Sequence, residues 1–173
     1  PDGQMRDPYY VSSYPDWANC VVLDKDNKFV FVNHYRYATN TEGLEIVGGI
    51  LDNHQDASAA AGIRRELLEE IGYEGGSLWQ TGTVLANPSI QTNVNHCFLA
   101  AGGECTRQPE LEDGVRLEIV KLSYSDIKAS LLSGEIFQAL HLAALLQAIF
   151  YIQNSRASEL QAIRTIMNQA VSL

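Results

Sequence analysis

A chain of 173 residues suits one domain with an ordinary buried core. Its 46% hydrophobic and 19% charged residues exclude a disordered polypeptide, and a formal net charge of −9 excludes a broad nucleic-acid-binding face. An acidic chain can still take a phosphate compound, because bound divalent cations reverse the local charge of a site.

In chain order, Asn19 to Leu23 and Lys28 to Tyr37 are rich in Val, Phe and Tyr and flank Asp24-Lys25-Asp26-Asn27, which predicts a hairpin. Leu44 to Val47 reads as a short strand closed by Gly48-Gly49. A helix is predicted from Ala57 to Ile71, with Asp56 or Ser58 as its N-cap and Gly72 as its stop. Strands follow at Trp79 to Leu85, Val94 to Ala101 and Arg116 to Lys121. The apolar spacing predicts helices over Ser125 to Leu132, Glu135 to Gln153 and Ala157 to Val171. The order predicts an α+β or layered α/β/α fold. Residues 1–154 would form the domain, and 155–173 an added helix packing on it or on a second subunit through Leu160, Ile163, Ile166, Met167 and Val171.

Cys20, Cys97 and Cys105 are odd in number and widely spaced, without a CxxC pair or a Cys/His zinc spacing, so reduced thiols are expected. No basic segment followed by an apolar one opens the chain, so no signal peptide is expected. Residues 136–152 are the most apolar stretch, but Gln138, His141 and Gln147 interrupt it, and it is shorter than the roughly 20 residues that span a bilayer. The expectation is a buried or dimer-facing helix, no membrane partner and a cytoplasmic location.

The chemistry concentrates on the predicted central helix. Glu66, Glu69 and Glu70 stand at i, i+3 and i+4 and share one face, with Ile63, Leu67 and Ile71 on the other. Three neighbouring carboxylates need a cation or raised pKa values, and their hard oxygens suit Mg²⁺ or Mn²⁺. A solvated acidic helix face is the plain alternative. Arg65 lies four residues before Glu69 and is placed to orient it.

Arg65-Glu66-Leu67-Leu68-Glu69-Glu70-Ile71-Gly72-Tyr73 matches every specified position in the second half of G-x5-E-x7-R-E-U-x-E-E-x-G-U, where U is aliphatic or aromatic. The chain therefore resembles the Nudix hydrolase family. Asn33-His34-Tyr35-Arg36-Tyr37, Glu45-Ile46-Val47-Gly48-Gly49, Asn87-Pro88-Ser89 with Asn95 to Ala100, and Ser133-Gly134-Glu135-Ile136 are similar to elements of its ADP-ribose pyrophosphatase and nucleotide-sugar branch. The first half departs from the pattern. Gln55 stands where the family has its first glutamate, and nine residues rather than seven separate it from Arg65. Gly62 also sits where a helix favours Ala.

The resemblance implies a mixed β-sheet between helices and a homodimer. It implies hydrolysis of a nucleoside diphosphate linked to another moiety, ADP-ribose being the first guess, with Mg²⁺ or possibly Mn²⁺ as cofactor. Glu66 and Glu70 would be the principal metal ligands, with Glu69 and the Gly48 carbonyl completing the shell. Glu69 would also be a catalytic residue. Glu112, with Asp113 close behind, is the expected base; exposed loop acids are the alternative. Arg36, Glu45 and Arg65 are the expected substrate-binding residues. Arg36 suits a phosphate contact, with a structural salt bridge as its alternative. Gln55 motivates a second reading, a binding module with weak turnover. Trp17, Tyr35 and Tyr37 are read as core before base-stacking residues, and none of His34, His54, His96 and His141 is assigned a role.

Overall fold

The computed structural model describes residues 3–4, 7–52, 54–110 and 117–171, with residue 171 described by its backbone alone. Four strands precede the first helix: β1 (Trp17–Leu23), β2 (Phe29–Arg36), β3 (Thr41–Glu45) and β4 (Val47–Ile50). Helix α1 (Ala59–Ile71) is followed by β5 (Tyr73–Leu85), β6 (Val94–Cys105) and β7 (Leu117–Leu122). Helices α2 (Tyr124–Ser133), α3 (Ala139–Asn154) and α4 (Gln161–Val171) close the chain, with a single 3₁₀ turn at Ser158–Leu160 before α4.

The predicted hairpin forms because the Asp24 carboxylate accepts from the backbone N–H groups of Asp26 and Lys28, each at 2.9 Å, and Asn27 takes a left-handed φ of 57°. Leu23 then faces Phe29 across the ladder. All of β1 pairs in parallel with residues Asn95 to Ala101 of β6, and β5 runs antiparallel outside β6. β7 pairs along β2. The short strand predicted at 44–47 is two strands. β3 pairs with β2, the chain breaks at Ile46, and β4 pairs with β1, so that Gly48 faces Asn19 and Gly49 faces Ala18. Gly48 and Gly49 therefore lie inside a strand and do not close one.

Alternation along the strands fills two cores. Val21, Leu23, Phe29, Phe31, Cys97 and Leu99 pack with α2, α3 and the C-terminal segment. Cys20, Val22, Val30, Val32, Phe98 and Ala100 pack with Ile63, Leu67 and Ile71 of α1. A sheet buried on both faces between helices is the layered α/β/α arrangement expected from the sequence. Leu160, Ile163 and Met167 are fully buried in the first core, whereas Ile166 of the predicted stripe is exposed. Ser77 Oγ donates to Glu159 at 2.8 Å and ties this segment to β5. α3 begins at Ala139, four residues later than predicted, with the Gln138 side chain capping His141 N at 2.9 Å. Among the described residues no helix is long and apolar enough to cross a membrane.

Helix α1 starts where Ser58 Oγ accepts from Ala61 N at 3.2 Å, and ends at Gly72, whose φ is 64°. Gly62 has a packing reason. A Cβ there would press on Leu51 and approach Asp56 Oδ2 to 2.9 Å. Gly→Ala inside a helix ordinarily adds about 1 kcal/mol. Here overpacking reverses the sign, and Gly62→Ala should cost about 1–2 kcal/mol in urea unfolding. A stabilised variant would show that Leu51 and Asp56 yield freely.

Candidate active site

β4 and α1 lie against each other so that the carboxylates of the helix meet the Gly48-Gly49 backbone. A side chain at Gly49 would overlap the Glu66 carboxylate, so the glycine makes the space that Glu66 fills. Glu70 accepts from the backbone N–H of Gly48, while its Oε2 is buried with no partner. Burial, and then the charge of Glu66, push the Glu70 pKa up to about 8. Burial also raises the Glu66 pKa, against the opposing charge of Arg65. Two adjacent, poorly solvated carboxylates beside the Gly48-Gly49 backbone of β4 are hard-oxygen donors short of positive charge, and the residues present fit a divalent cation.

Glu69 is more open: it is two-fifths exposed and accepts at 2.8 Å from Arg65 Nη1, the nitrogen that also lies 2.9 Å from Glu66 Oε1. Among the described residues no three His, Cys, Asp or Glu side chains converge into a ready metal cage. Of the three carboxylates read from the spacing, Glu66 and Glu70 meet the Gly48-Gly49 backbone, and Glu69 shares the Arg65 guanidinium with Glu66.

Arg65 is engaged on all sides. Its Nε and Nη2 donate to Asp56 at 3.3 and 3.2 Å, Nη2 to Ile50 O at 3.4 Å, and Nη1 lies 2.9 Å from Glu66 Oε1. These bonds, led by the one to Asp56, raise the Arg65 pKa and hold the Asp56 carboxyl below its usual range. Arg65 is therefore placed to position Glu66 and Glu69, and it does not line the cleft described below. The sequence spacing sought an acidic partner at Gln55 and missed Asp56, one residue on, whose side chain is almost buried against Gly62. The glycine at 62, costly in a free helix, was the available signal. Gln55 is exposed and contributes a turn bond from its backbone. Asp56→Ala should lower turnover about tenfold, as loss of a supporting partner does, with Gln55→Glu changing it little. A marked gain from Gln55→Glu would show that Asp56 does not serve this role.

Beside the carboxylate pair opens a cleft of about 410 Å³, lined among others by Trp17, Asn19, Arg36, Glu45, Gly48 and His141. Arg36 Nε donates to Glu45 Oε1 at 2.8 Å and its Nη2 to Oε2, a fork-on-carboxylate pair. Burial works to raise the Glu45 pKa, but the hydrogen bond from Arg36 and the surrounding positive charge hold it below the usual range. Arg36 is thus ion-paired with Glu45. Arg36 and Glu45 both reach the cleft, as does half-buried Trp17. Tyr35 and Tyr37 do not line it; they pack edge to face, 4.9 Å between centroids, and Tyr37 is exposed. His141, which no spacing singled out, is buried in the cleft wall. Glu112 and Asp113 lie outside the described residues. The chain leading to them is fastened to α1, since Glu110 N–H donates to Glu69 O at 2.7 Å.

The NUDIX domain family model matches residues 14–139. GDP-mannose pyrophosphatase from Yersinia enterocolitica is 30% identical over 129 residues, covering 69% of this chain and 65% of the relative. The Klebsiella pneumoniae enzyme of the same name is 30% identical over 115 residues, covering 62% and 57%. A CMP-5'-(N-acetyl-N-hydroxy-3-aminopropyl)phosphonate hydrolase from Streptomyces rubellomurinus is 26% identical, covering 63% and 52%. The chain thus spans a little over half to just under two thirds of these relatives' lengths. Among solved structures, an ADP compounds hydrolase superposes with a TM-score of 0.69 at 18% identity, covering 80% of this chain and 75% of that one. The NUDIX domain of Shewanella oneidensis NrtR, complexed with ADP ribose, gives 0.64 at 18% identity, covering 85% and 94%. These structures share the fold of this chain. With the family match covering Gly48-Gly49, Arg65 and the Glu66–Glu70 pair, the chain belongs to the Nudix family.

Proposed function

We propose that the chain is a metal-dependent pyrophosphohydrolase of nucleoside diphosphates linked to a sugar. The observation that carries this reading is Glu70, buried, lacking a partner on one oxygen and paired with Glu66 against the Gly48-Gly49 backbone. Glu66 and Glu70, with the Gly48 carbonyl, would hold the cation, and Glu69 would serve as a further ligand. A divalent ion bound there, Mg²⁺ first and Mn²⁺ as substitute, supplies charge neutralisation and polarisation of the diphosphate.

The protein residues do the rest by positioning. Arg65, anchored on Asp56, holds Glu66 in place. Glu45 fixes Arg36 at the cleft wall, where the guanidinium meets the charge of the substrate. Glu112, or its neighbour Asp113, is the proposed base that takes a proton from water. Water adds across the P–O–P bridge and yields a nucleoside monophosphate and a sugar phosphate. Relatives named as GDP-mannose pyrophosphatases support the nucleotide-sugar class, and the neighbour complexed with ADP ribose keeps that compound beside it.

The assay is direct. Purified protein with Mg²⁺ or Mn²⁺ is given ADP-ribose, GDP-mannose and a dinucleotide, and products are separated by ion exchange. Paired monophosphate products, lost on adding EDTA, are expected. Ligand-dependent thermal stabilisation with no product over hours would favour the binding-module reading. That alternative rests on Gln55 and the two-residue insertion before Arg65, while Asp56 gives Arg65 an acidic partner. A homodimer accompanies the proposal on the ground of family resemblance, and sedimentation tests it.

A further inference from the structure

The inner end of the cleft has a chemistry that diphosphate cleavage does not use. Asn19, Glu45 and His141 line it, exposed by 4%, 2% and 5%. Asn19 Oδ1 and His141 Nδ1 are buried without any hydrogen-bond partner. Native proteins seldom leave such atoms unpaired, since each costs about 1–3 kcal/mol. Two of them in one cleft wall point to a ligand that supplies what they lack.

The sign of the site limits that ligand. Asn19 Nδ2 lies over Gly48, which directs attention to its unpaired oxygen, an acceptor. Each Glu45 oxygen already accepts from Arg36 and keeps a second acceptor position. His141 Nδ1 stands 3.7 Å from Glu45 Oε2, too far for a hydrogen bond. Burial holds the His141 pKa down to about 4, so the ring is neutral near pH 7 and brings no cationic charge. A phosphate would meet acceptors and the Glu45 carboxylate here, with the Arg36 guanidinium already bonded to both Glu45 oxygens. A group rich in donors would not. A planar base edge with paired N–H donors needs both Glu45 oxygens in its plane, and the Arg36 fork occupies them. Hydroxyl groups rotate and need one lone pair each. The walls, Trp17, Ile50 and Phe137, are apolar and suit the carbon face of a sugar ring.

We propose that Asn19, His141 and Glu45 form a subsite that reads the hydroxyl groups of the sugar beyond the diphosphate, with Asn19 and His141 as specificity-determining residues. This assignment rests on the pyrophosphohydrolase reading above. It orients the substrate with its phosphates at Glu66 and Glu70 and its sugar against Trp17.

The test compares two substrates of the same nucleoside: a nucleoside diphosphate hexose and the methyl ester of that nucleoside diphosphate. The readout is the ratio of their kcat/KM values. Asn19→Leu and His141→Phe should each lower the ratio about tenfold or more, chiefly through KM for the hexose compound. Asn19→Ser and His141→Gln keep a polar atom at each place and guard against a folding failure; they should fall between wild type and the apolar variants. Unchanged kcat/KM on both substrates would mean that the two side chains hold only water, and an equal loss on both, which leaves the ratio as it was, would mean that they serve the shared nucleoside or the structure. Either result overturns the proposal. If wild type cleaves neither substrate, the hydrolase reading fails by itself. Calorimetry with the hexose 1-phosphate and inorganic phosphate then decides: about tenfold weaker hexose phosphate binding in the apolar variants, with phosphate binding unchanged, supports the subsite, and parallel behaviour sinks it.

Discussion

Replacing Glu70 by Gln is expected to lower turnover about a thousandfold in Mg²⁺, the loss of several kcal/mol of transition-state stabilisation. The substitution keeps the shape of the side chain and its bond from Gly48 but removes the charge that faces the Glu66 carboxylate. Without metal the same residue acts against the fold. Its folded pKa of about 8 lies above the ordinary 4.5, so the folded chain binds this proton more tightly than the unfolded one. That contribution to stability is fully present below about pH 4.5 and is lost as the pH rises through about 8. In EDTA, melting temperature should therefore fall between about pH 5 and pH 8 more steeply in wild type than in Glu70→Gln. At the alkaline end the variant should be the more stable protein. A variant turning over at a near-normal rate, or parallel melting curves, would remove Glu70 from the centre of the site.

Gly49→Ala should separate function from stability. The added methyl group overlaps the Glu66 carboxylate, which is the free end of a flexible side chain and can swing aside at little cost to folding. Glu66 would then leave the place where it meets Arg65 at 2.9 Å and opposes Glu70. A displacement of about 1 Å at a reacting centre costs about a hundredfold in rate. The expected variant melts within a few degrees of wild type but needs much more Mg²⁺ for half-maximal rate and reaches a far lower kcat. Normal Mg²⁺ dependence would show that Glu66 is not a ligand.

Local chemistry made much of this legible in the sequence. The Asp24 turn, the Ser58 and Gly72 caps and the Ile63, Leu67 and Ile71 face each rest on contacts within a few residues, so spacing alone located them. The break at Ile46 was not legible, because β3 and β4 are divided by a change of partner from β2 to β1, and pairing over such distances leaves no mark on a run as short as Leu44 to Val47. The late start of α3 has a similar origin: Phe137 and Gln138 are held at the mouth of the cleft, against the helical tendency of their neighbours. Within the site, the Glu66–Glu70 pair followed from helical geometry. Asp56 did not, since its partner Arg65 is reached only after the chain between them has folded back. Nor did Asn19 and His141, which come from β1 and α3 and meet only through the sheet.

The fastening of Arg65 to Asp56 bears on how this loop can change in length. What must be conserved between Gly49 and Arg65 is an endpoint, a carboxylate delivered beside Gly62, and not a count of residues. The Asp52 N–H bonds Asp56 Oδ2 at 2.8 Å, closing the segment upon itself, so extra residues bulge into solvent while both ends keep their places. The segment behaves as an adjustable spacer with a fixed clasp. Lengthening it at exposed His54 or Gln55 should be nearly silent, whereas a single deletion that draws Asp56 out of reach should release Arg65 and the carboxylates it steadies.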